Sequence, residues 1–216
     1  MTERGTIDTM RDVLADGRRP LLLVRHGRTA ANAQRVLVGR CDVPLDEEGA
    51  HQAEALRARL VALGPSLYLT SPLARARQTL AGLAPVEVVG ALVEVAHGDL
   101  EGLPEARLGT DHAEFLARWK AAPGRTRIPG GESVADAVDR ALPALQARLD
   151  AHPTPALLVV CSHQLVLAGL CCALLREPLA GWTSHRNHNP GVTLLSEGAD
   201  GWRIELQDDL SHLEEG

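Results

Sequence analysis

Three short, continuously apolar runs constrain this chain most: Leu21–Val24, Leu67–Leu69 and Leu157–Cys161, each ending abruptly in polar residues. A run that is apolar at every position, rather than at every second one, suits a parallel strand whose sheet is covered by helices on both faces. Val86–Val89 is a fourth, weaker run. Val192–Leu195 and Trp202–Leu206, separated by turn-forming residues, predict an antiparallel hairpin at a sheet edge.

Helical patterns fill the intervals. The stretch 46–63 opens with acids that suit the positive end of a helix dipole, and Gly64-Pro65 stops it. It sets Ala50, Ala53, Leu56, Leu60 and Leu63 on one stripe and leaves a charged, solvated face opposite. Pro72–Leu83 is a second helix, with Ser71 as its cap. Residues 111–120, 132–149 and 165–175 give three more, and Pro143 is expected to kink or shorten the second of these. This alternation predicts a three-layer α/β/α sandwich with a mostly parallel central sheet and an antiparallel edge strand. Residues 20–216 read as a single domain, 1–19 as a poorly tied N-terminal extension, and the Gly- and Pro-rich stretch 96–131 as an excursion over the sheet.

Aromatic residues make up only 2% of the chain, so the core must be built from Leu, Val and Ala. A net charge of −6 with few aromatics argues against a nucleic-acid partner, which needs a basic face or stacking platforms. No apolar run approaches the ~20 residues that cross a bilayer, and the N-terminus has no secretory pattern, so no membrane partner and a cytoplasmic location are expected. The spacing of Cys41, Cys161, Cys171 and Cys172 resembles no zinc site and predicts reduced thiols, the last three of them core. An exposed strand edge is available to a homodimer.

Ligands in open α/β sheets bind beyond the carboxyl ends of the strands. Those ends carry Arg25, His26 and Gly27 after the first run, Ser71 to Arg75 after the second, and Ser162, His163 and Gln164 after the last. Two guanidiniums and two imidazoles around one point repel each other unless an anion joins them, and a phosphate dianion fits. Arginine's planar fork grips phosphate oxygens in pairs, and Lys120 is the only lysine. Gly27 is expected to let the backbone approach that ligand. A histidine can take up a phosphoryl group if an acid protonates the leaving oxygen. Glu94 is the leading candidate for that acid, with Asp99 and Glu101 as competitors in the same loop. No metal or other cofactor is called for. His185 and His188 have a spacing that could suit a metal on a helix, but the following Asn-Pro-Gly points to a polar loop.

Arg25-His26-Gly27-Arg28-Thr29 with Asn32 resembles the signature of the histidine phosphatase superfamily, also called the phosphoglycerate mutase-like family. The resemblance continues through residues 39–45, Gly49 with Gln52-Ala53, 71–79, Glu94 with 97–102, 129–133 and Ser162-His163, spanning roughly residues 20–195. It implies that His26 becomes the phosphohistidine, that Arg25 and Arg75 hold the phosphoryl oxygens, and that His163 stabilises charge in the transition state. It further implies that Glu94 donates a proton and later activates water, and that Asn32 donates a hydrogen bond. Three positions depart from the pattern: Gln164 where the family usually has Gly, Leu100 where a Trp is common, and Arg28 where small phosphatases often carry an acid, which is expected to add positive charge at the rim.

The resemblance implies a metal-independent phosphatase acting on a small phosphorylated metabolite. The alternatives are a phosphoglycerate mutase and a non-catalytic phospholigand-binding protein on the same fold. Mutases of the family usually carry a longer, more basic segment after the acid than the one between Glu94 and residue 129. Selectivity is expected from residues 28–42, 96–130 and 183–190.

Overall fold

Alternate residues of the apolar runs go to opposite faces of one sheet. The computed structural model describes residues 6–152 and 156–214. Its strands are β1 (Arg19–Arg25), β2 (Leu67–Thr70), β3 (Val86–Val88), β4 (Leu158–Ser162), β5 (Val192–Gly198) and β6 (Gly201–Asp209), in the order β3-β2-β4-β1-β5-β6. The first four are parallel, and β5 pairs antiparallel with both β1 and β6. The reversed strand therefore lies one place in from the edge. Every residue of β5 from Val192 to Ser196 is buried, whereas β6 is half exposed, so the more apolar strand of the hairpin takes the interior place.

The helices are α1 (Thr6–Ala15), α2 (Ala30–Ala33), α3 (Glu47–Leu63), α4 (Ala74–Thr79), α5 (Leu108–Asp111), α6 (Ala113–Ala121), α7 (Val134–Ala151) and α8 (Gln164–Leu174). Leu21, Leu23, Leu69, Leu158 and Val160 pack with Ala141 and Leu145 of α7 and Val166 and Leu170 of α8. Leu22, Val24, Tyr68, Val159 and Cys161 face the other way, onto Leu56 and Leu60 of α3 and Ala76 of α4. Cys171 and Cys172 are buried, as their apolar context suggests, while Cys41 is exposed.

Three expectations need correction. Of the segment 1–19 expected to be a loose extension, residues 1–5 lie outside the described residues, and residues 6–19 are tied to the core. Within the described part, α1 buries Met10 and Val13 against Leu22 and Val24, and Arg19 already opens β1. Full burial of a methionine-sized side chain contributes about 1.5–3 kcal/mol, enough to tie a short amphipathic helix to the core. Pro143 does not shorten α7, which runs unbroken for 18 residues. Ser133 and Asp136 cap each other's backbone at its start, and Ala137, Ala141, Leu145 and Leu149 are all buried, so packing outweighs the proline's local cost of about 3 kcal/mol. Finally, α4 stops at Thr79, whose hydroxyl donates to Arg75 O at 2.7 Å in the back-bonded manner that weakens helices.

The result that matters for function is alignment. Thr70 pairs with Val88 and Cys161, and Arg25 with Ser162, so the carboxyl ends of β3, β2, β4 and β1 stand level on one side of the sheet.

Candidate active site

Each of the four aligned ends delivers one part of a common centre. β1 runs straight into Arg25 and His26. His26 is 4% exposed, and its Nδ1 lies 2.7 Å from Gly27 O, which fixes the ring proton there and leaves Nε2 unprotonated. Arg75, from the first turn of α4 after β2, donates Nε–H to His26 Nε2 at 3.2 Å. Its terminal nitrogens donate to Cys41 O at 2.9 Å and Gly39 O at 2.8 Å, which leaves one N–H on each for a ligand. Gly39 has to be glycine for this. A Cβ there would lie 2.4 Å from Val95 O, so a side chain would push the loop and its carbonyl away.

His163, the N-cap residue of α8 after β4, stacks at an angle on His26 with ring centroids 5.1 Å apart. Ser71, expected to cap α4, is used differently: its Oγ lies 2.7 Å from His163 Nε2 and accepts from Leu73 N at 3.3 Å. Giving the hydroxyl hydrogen to Nε2 leaves the histidine proton on Nδ1, which has no protein partner. His163 itself has no exposed surface and does not line the cavity.

The fourth part follows β3. Glu94 is 5% exposed; its Oε1 accepts from Val95 N at 2.8 Å and its Oε2 from Leu165 N at 3.3 Å, in the first turn of α8. Of the three candidate acids, Glu94 alone lines the cavity that also contains His26, Arg25 and Arg75. Glu101 instead accepts from the backbone of Gly39 at 3.0 Å and Arg40 at 2.7 Å, bracing the loop that holds Arg75.

Burial and mutual repulsion set the charges. Desolvation lowers Arg25 to about 10, with Arg186 and Arg75 adding to the shift and Glu94 opposing it. The histidines respond more strongly: burial first, then the Arg75 and Arg25 cations, hold His26 well below the ordinary imidazole range, and burial and Arg75 do the same to His163. Both rings are neutral at pH 7. A neutral imidazole with an unprotonated Nε2, set against two partly desolvated guanidiniums, has the chemistry to act as a nucleophile beside an anion cradle.

Several expectations change in detail. Asn32 lines the cavity, but its Oδ1 is engaged by Thr29 N and Oγ1, forming the cap of α2. Gln164 lines it too, and neither atom of its buried amide head has a partner. Gly27 does not line the cavity. A Cβ there would lie 2.7 Å from Gly49 O, so its small size serves the packing of this loop on the start of α3. Arg28 adds no free charge at the rim, because it is paired with Asp46 at 2.9 Å. His185 is buried and bonded to Glu177, while His188 pairs with Asp208. Cys172, Glu177 and His185 could offer three metal-ligating atoms within 4.8 Å of one another, but none of them lines the cavity.

Other contributors carried no sequence signal. Asn187 O accepts from Arg25 at 2.7 Å and Asn189 Nδ2 donates to His26 O at 2.7 Å, so the polar 185–191 loop holds the nucleophile strand from the far side. Arg140 of α7 donates to the carbonyls of Ala91, Val93 and Glu94, fixing the acid's backbone. A helix arginine reads as a solvated charge until the loop it reaches is known.

Fold and site together define a class: an α/β protein with a buried neutral histidine and two arginines gathered at the carboxyl ends of its parallel strands. The histidine phosphatase superfamily (branch 1) family model matches residues 21–210, and the chain belongs to that family. A probable phosphoglycerate mutase, GpmB, of Cronobacter sakazakii is 32% identical over 202 residues, covering 89% of this chain and 94% of that protein. Among solved structures, a mycobacterial glucosyl-3-phosphoglycerate phosphatase superposes with a TM-score of 0.80 at 30% identity, covering 88% of this chain and 98% of the other. A putative alpha-ribazole-5'-P phosphatase from Escherichia coli K-12 gives 0.77 at 26% identity, covering 89% and 97%.

Proposed function

We propose that the protein is a phosphomonoester hydrolase working through a phosphohistidine on His26 without a metal. The observation that carries this is the unprotonated Nε2 of His26, which accepts from Arg75 Nε at 3.2 Å, in a cavity shared with Arg25 and Glu94, so that a phosphoryl group drawing Arg75 to its oxygens would free the lone pair. Nε2 attacks phosphorus while the ester P–O bond breaks, and the Glu94 carboxyl passes a proton to the departing oxygen. Water then attacks the phosphohistidine, Glu94 takes its proton, and the P–N electron pair returns to Nε2. Arg25 and Arg75 balance the charge that gathers on the phosphoryl oxygens, the part a metal plays elsewhere, and His163 packs against the ring of His26. Gln164 and Asn32 complete the substrate's surroundings.

A mutase would hold the same intermediate but return the phosphoryl group to a carboxylate-bearing product, so it needs further free cations. Arg28 and Arg40 are tied to Asp46 and Glu132, and Lys120, Arg125 and Arg127 do not line the cavity. Apart from Arg25 and Arg75, Arg186 is the one arginine among the described lining residues. Hydrolysis is therefore the better reading. The decisive assay compares phosphate release with conversion of 3- to 2-phosphoglycerate: release is expected to dominate, and faster mutase turnover would reverse the assignment. His26→Ala should lose activity by about 10⁴-fold or more and trap no acid-labile phosphoenzyme. A variant that binds and functions unchanged would make the protein a ligand-binding relative instead.

A further inference from the structure

The chain has five aromatic residues other than histidine, and three of them, Phe115, Trp119 and Trp182, line the cavity above His26. They touch in series: the rings of Phe115 and Trp119 are 5.5 Å apart, and those of Trp119 and Trp182 meet edge-on at 6.2 Å. Leu108, Leu116 and Ile128 extend the same wall. The cations of the same cavity cluster around the histidine: Arg186 acts on Arg25, and Arg75 donates to His26. The cavity, about 240 Å³, thus joins a cationic cluster at His26 to a lining rich in apolar side chains. In a chain so poor in aromatics, a continuous apolar wall joined to a phosphate cradle has an occupant of matching chemistry.

We infer that the substrate is the phosphate monoester of an uncharged alcohol with a bulky apolar body, which lies against Phe115, Trp119 and Trp182 while its ester oxygen faces Glu94. This rests on the hydrolase reading above and goes further by naming the leaving group. A second carboxylate, as in phosphoglycerate, or a hydroxyl-rich sugar would find partners only at Gln164, Arg186 and the indole N–H of Trp182, and whatever lay on the rest of the wall would be desolvated at a cost of a kind that selects strongly.

The test holds the chemistry of the leaving oxygen nearly constant by using primary-alcohol esters: ethyl, butyl and 2-phenylethyl phosphate, with 3-phosphoglycerate and glucose 6-phosphate as polar competitors. kcat/KM should rise about fourfold for each methylene buried between ethyl and butyl phosphate. 2-Phenylethyl phosphate should exceed both polar esters by about tenfold or more. Trp119→Ala should lower the ratio of 2-phenylethyl to ethyl turnover by about tenfold, a change in discrimination that general loss of fold would not produce. Leu116→Ser is the second variant, expected to move that ratio the same way if Trp119→Ala does not fold. A flat alkyl series, a preference for either polar ester, or an unchanged ratio in a folded variant overturns the apolar pocket while leaving the hydrolase intact. If no ester in the set releases phosphate, the hydrolase reading falls and takes this inference with it.

Discussion

The floor and the wall of the cavity are built on opposite principles. The floor hangs from the level ends of four parallel strands, and its polar atoms are fixed by named partners: Arg75 by two carbonyls, Arg25 by Asn187, Glu94 by two backbone amides. The wall comes from the 3₁₀ turns and short helices between residues 98 and 128 and from the turn at 179–185, and it offers area rather than direction. The contrast teaches a division of labour. A phosphoryl group always presents the same oxygens, so its site can be rigid and shared across a family. On the proposed hydrolase reading the alcohol is the part that varies, and the wall that would hold it stands on segments that can change without disturbing the sheet.

The comparison can be broken by variants whose effects fall in the wrong place. Glu94→Gln removes the proton donor, and turnover of every alkyl ester should fall by about 10²–10⁴-fold in parallel. Unequal losses across the alkyl series would mean that Glu94 reads the alcohol rather than protonating it. Arg140→Ala touches no substrate but frees the carbonyls of Ala91, Val93 and Glu94. It should lower kcat by about ten- to a hundredfold with little change in KM, and a change confined to KM would argue against a positioning role.

The buried histidines predict a pH response of defined sign. Both have folded-state values below the ordinary 6.5, so the unfolded chain binds more protons below that pH. Their contribution to stability is complete above about pH 6.5 and is lost progressively as the pH falls toward their lowered values. Corrected for the substrate's own ionisation, kcat/KM should show no acid limb at 6.5 from His26, because the nucleophile stays neutral there. A limb at 6.5 in a folded enzyme would place His26 in solvent. The smallest effect on catalysis is expected from Met10→Ala, far from both floor and wall. Thermal or urea unfolding should register a loss of about 2–5 kcal/mol, with the specific activity of folded protein unchanged. A loss near zero would return residues 6–15 to a loosely held segment.

Much of this was legible beforehand, for reasons that differ by element. The strands were readable because β1, β2 and β4 are buried on both faces and so carry unbroken apolar runs through their middles. Glu47–Leu63 was readable because Asp46 caps it and Gly64, at φ 61°, ends it. α1 was missed because its acids and arginine read as a solvated tail, and only contact with Leu22 and Val24 gives the helical spacing of Met10 and Val13 its value. Arg140 and Asn187 were missed because each acts through main-chain atoms far away in sequence, which leave no residue pattern.

What the chain determined alone is the identity and order of its chemical groups: an Arg-His pair, a later Arg, a Glu and a second His, each placed after an apolar run or its turn. Local physics suffices for that, since burial and turn formation depend on near neighbours. Only the folded sheet decided that the two rings stand 5.1 Å apart, that Glu94 rather than Glu101 faces the nucleophile, and that three scattered aromatics make one wall. Those facts depend on strand register and on loops packing against one another, which are long-range and collective.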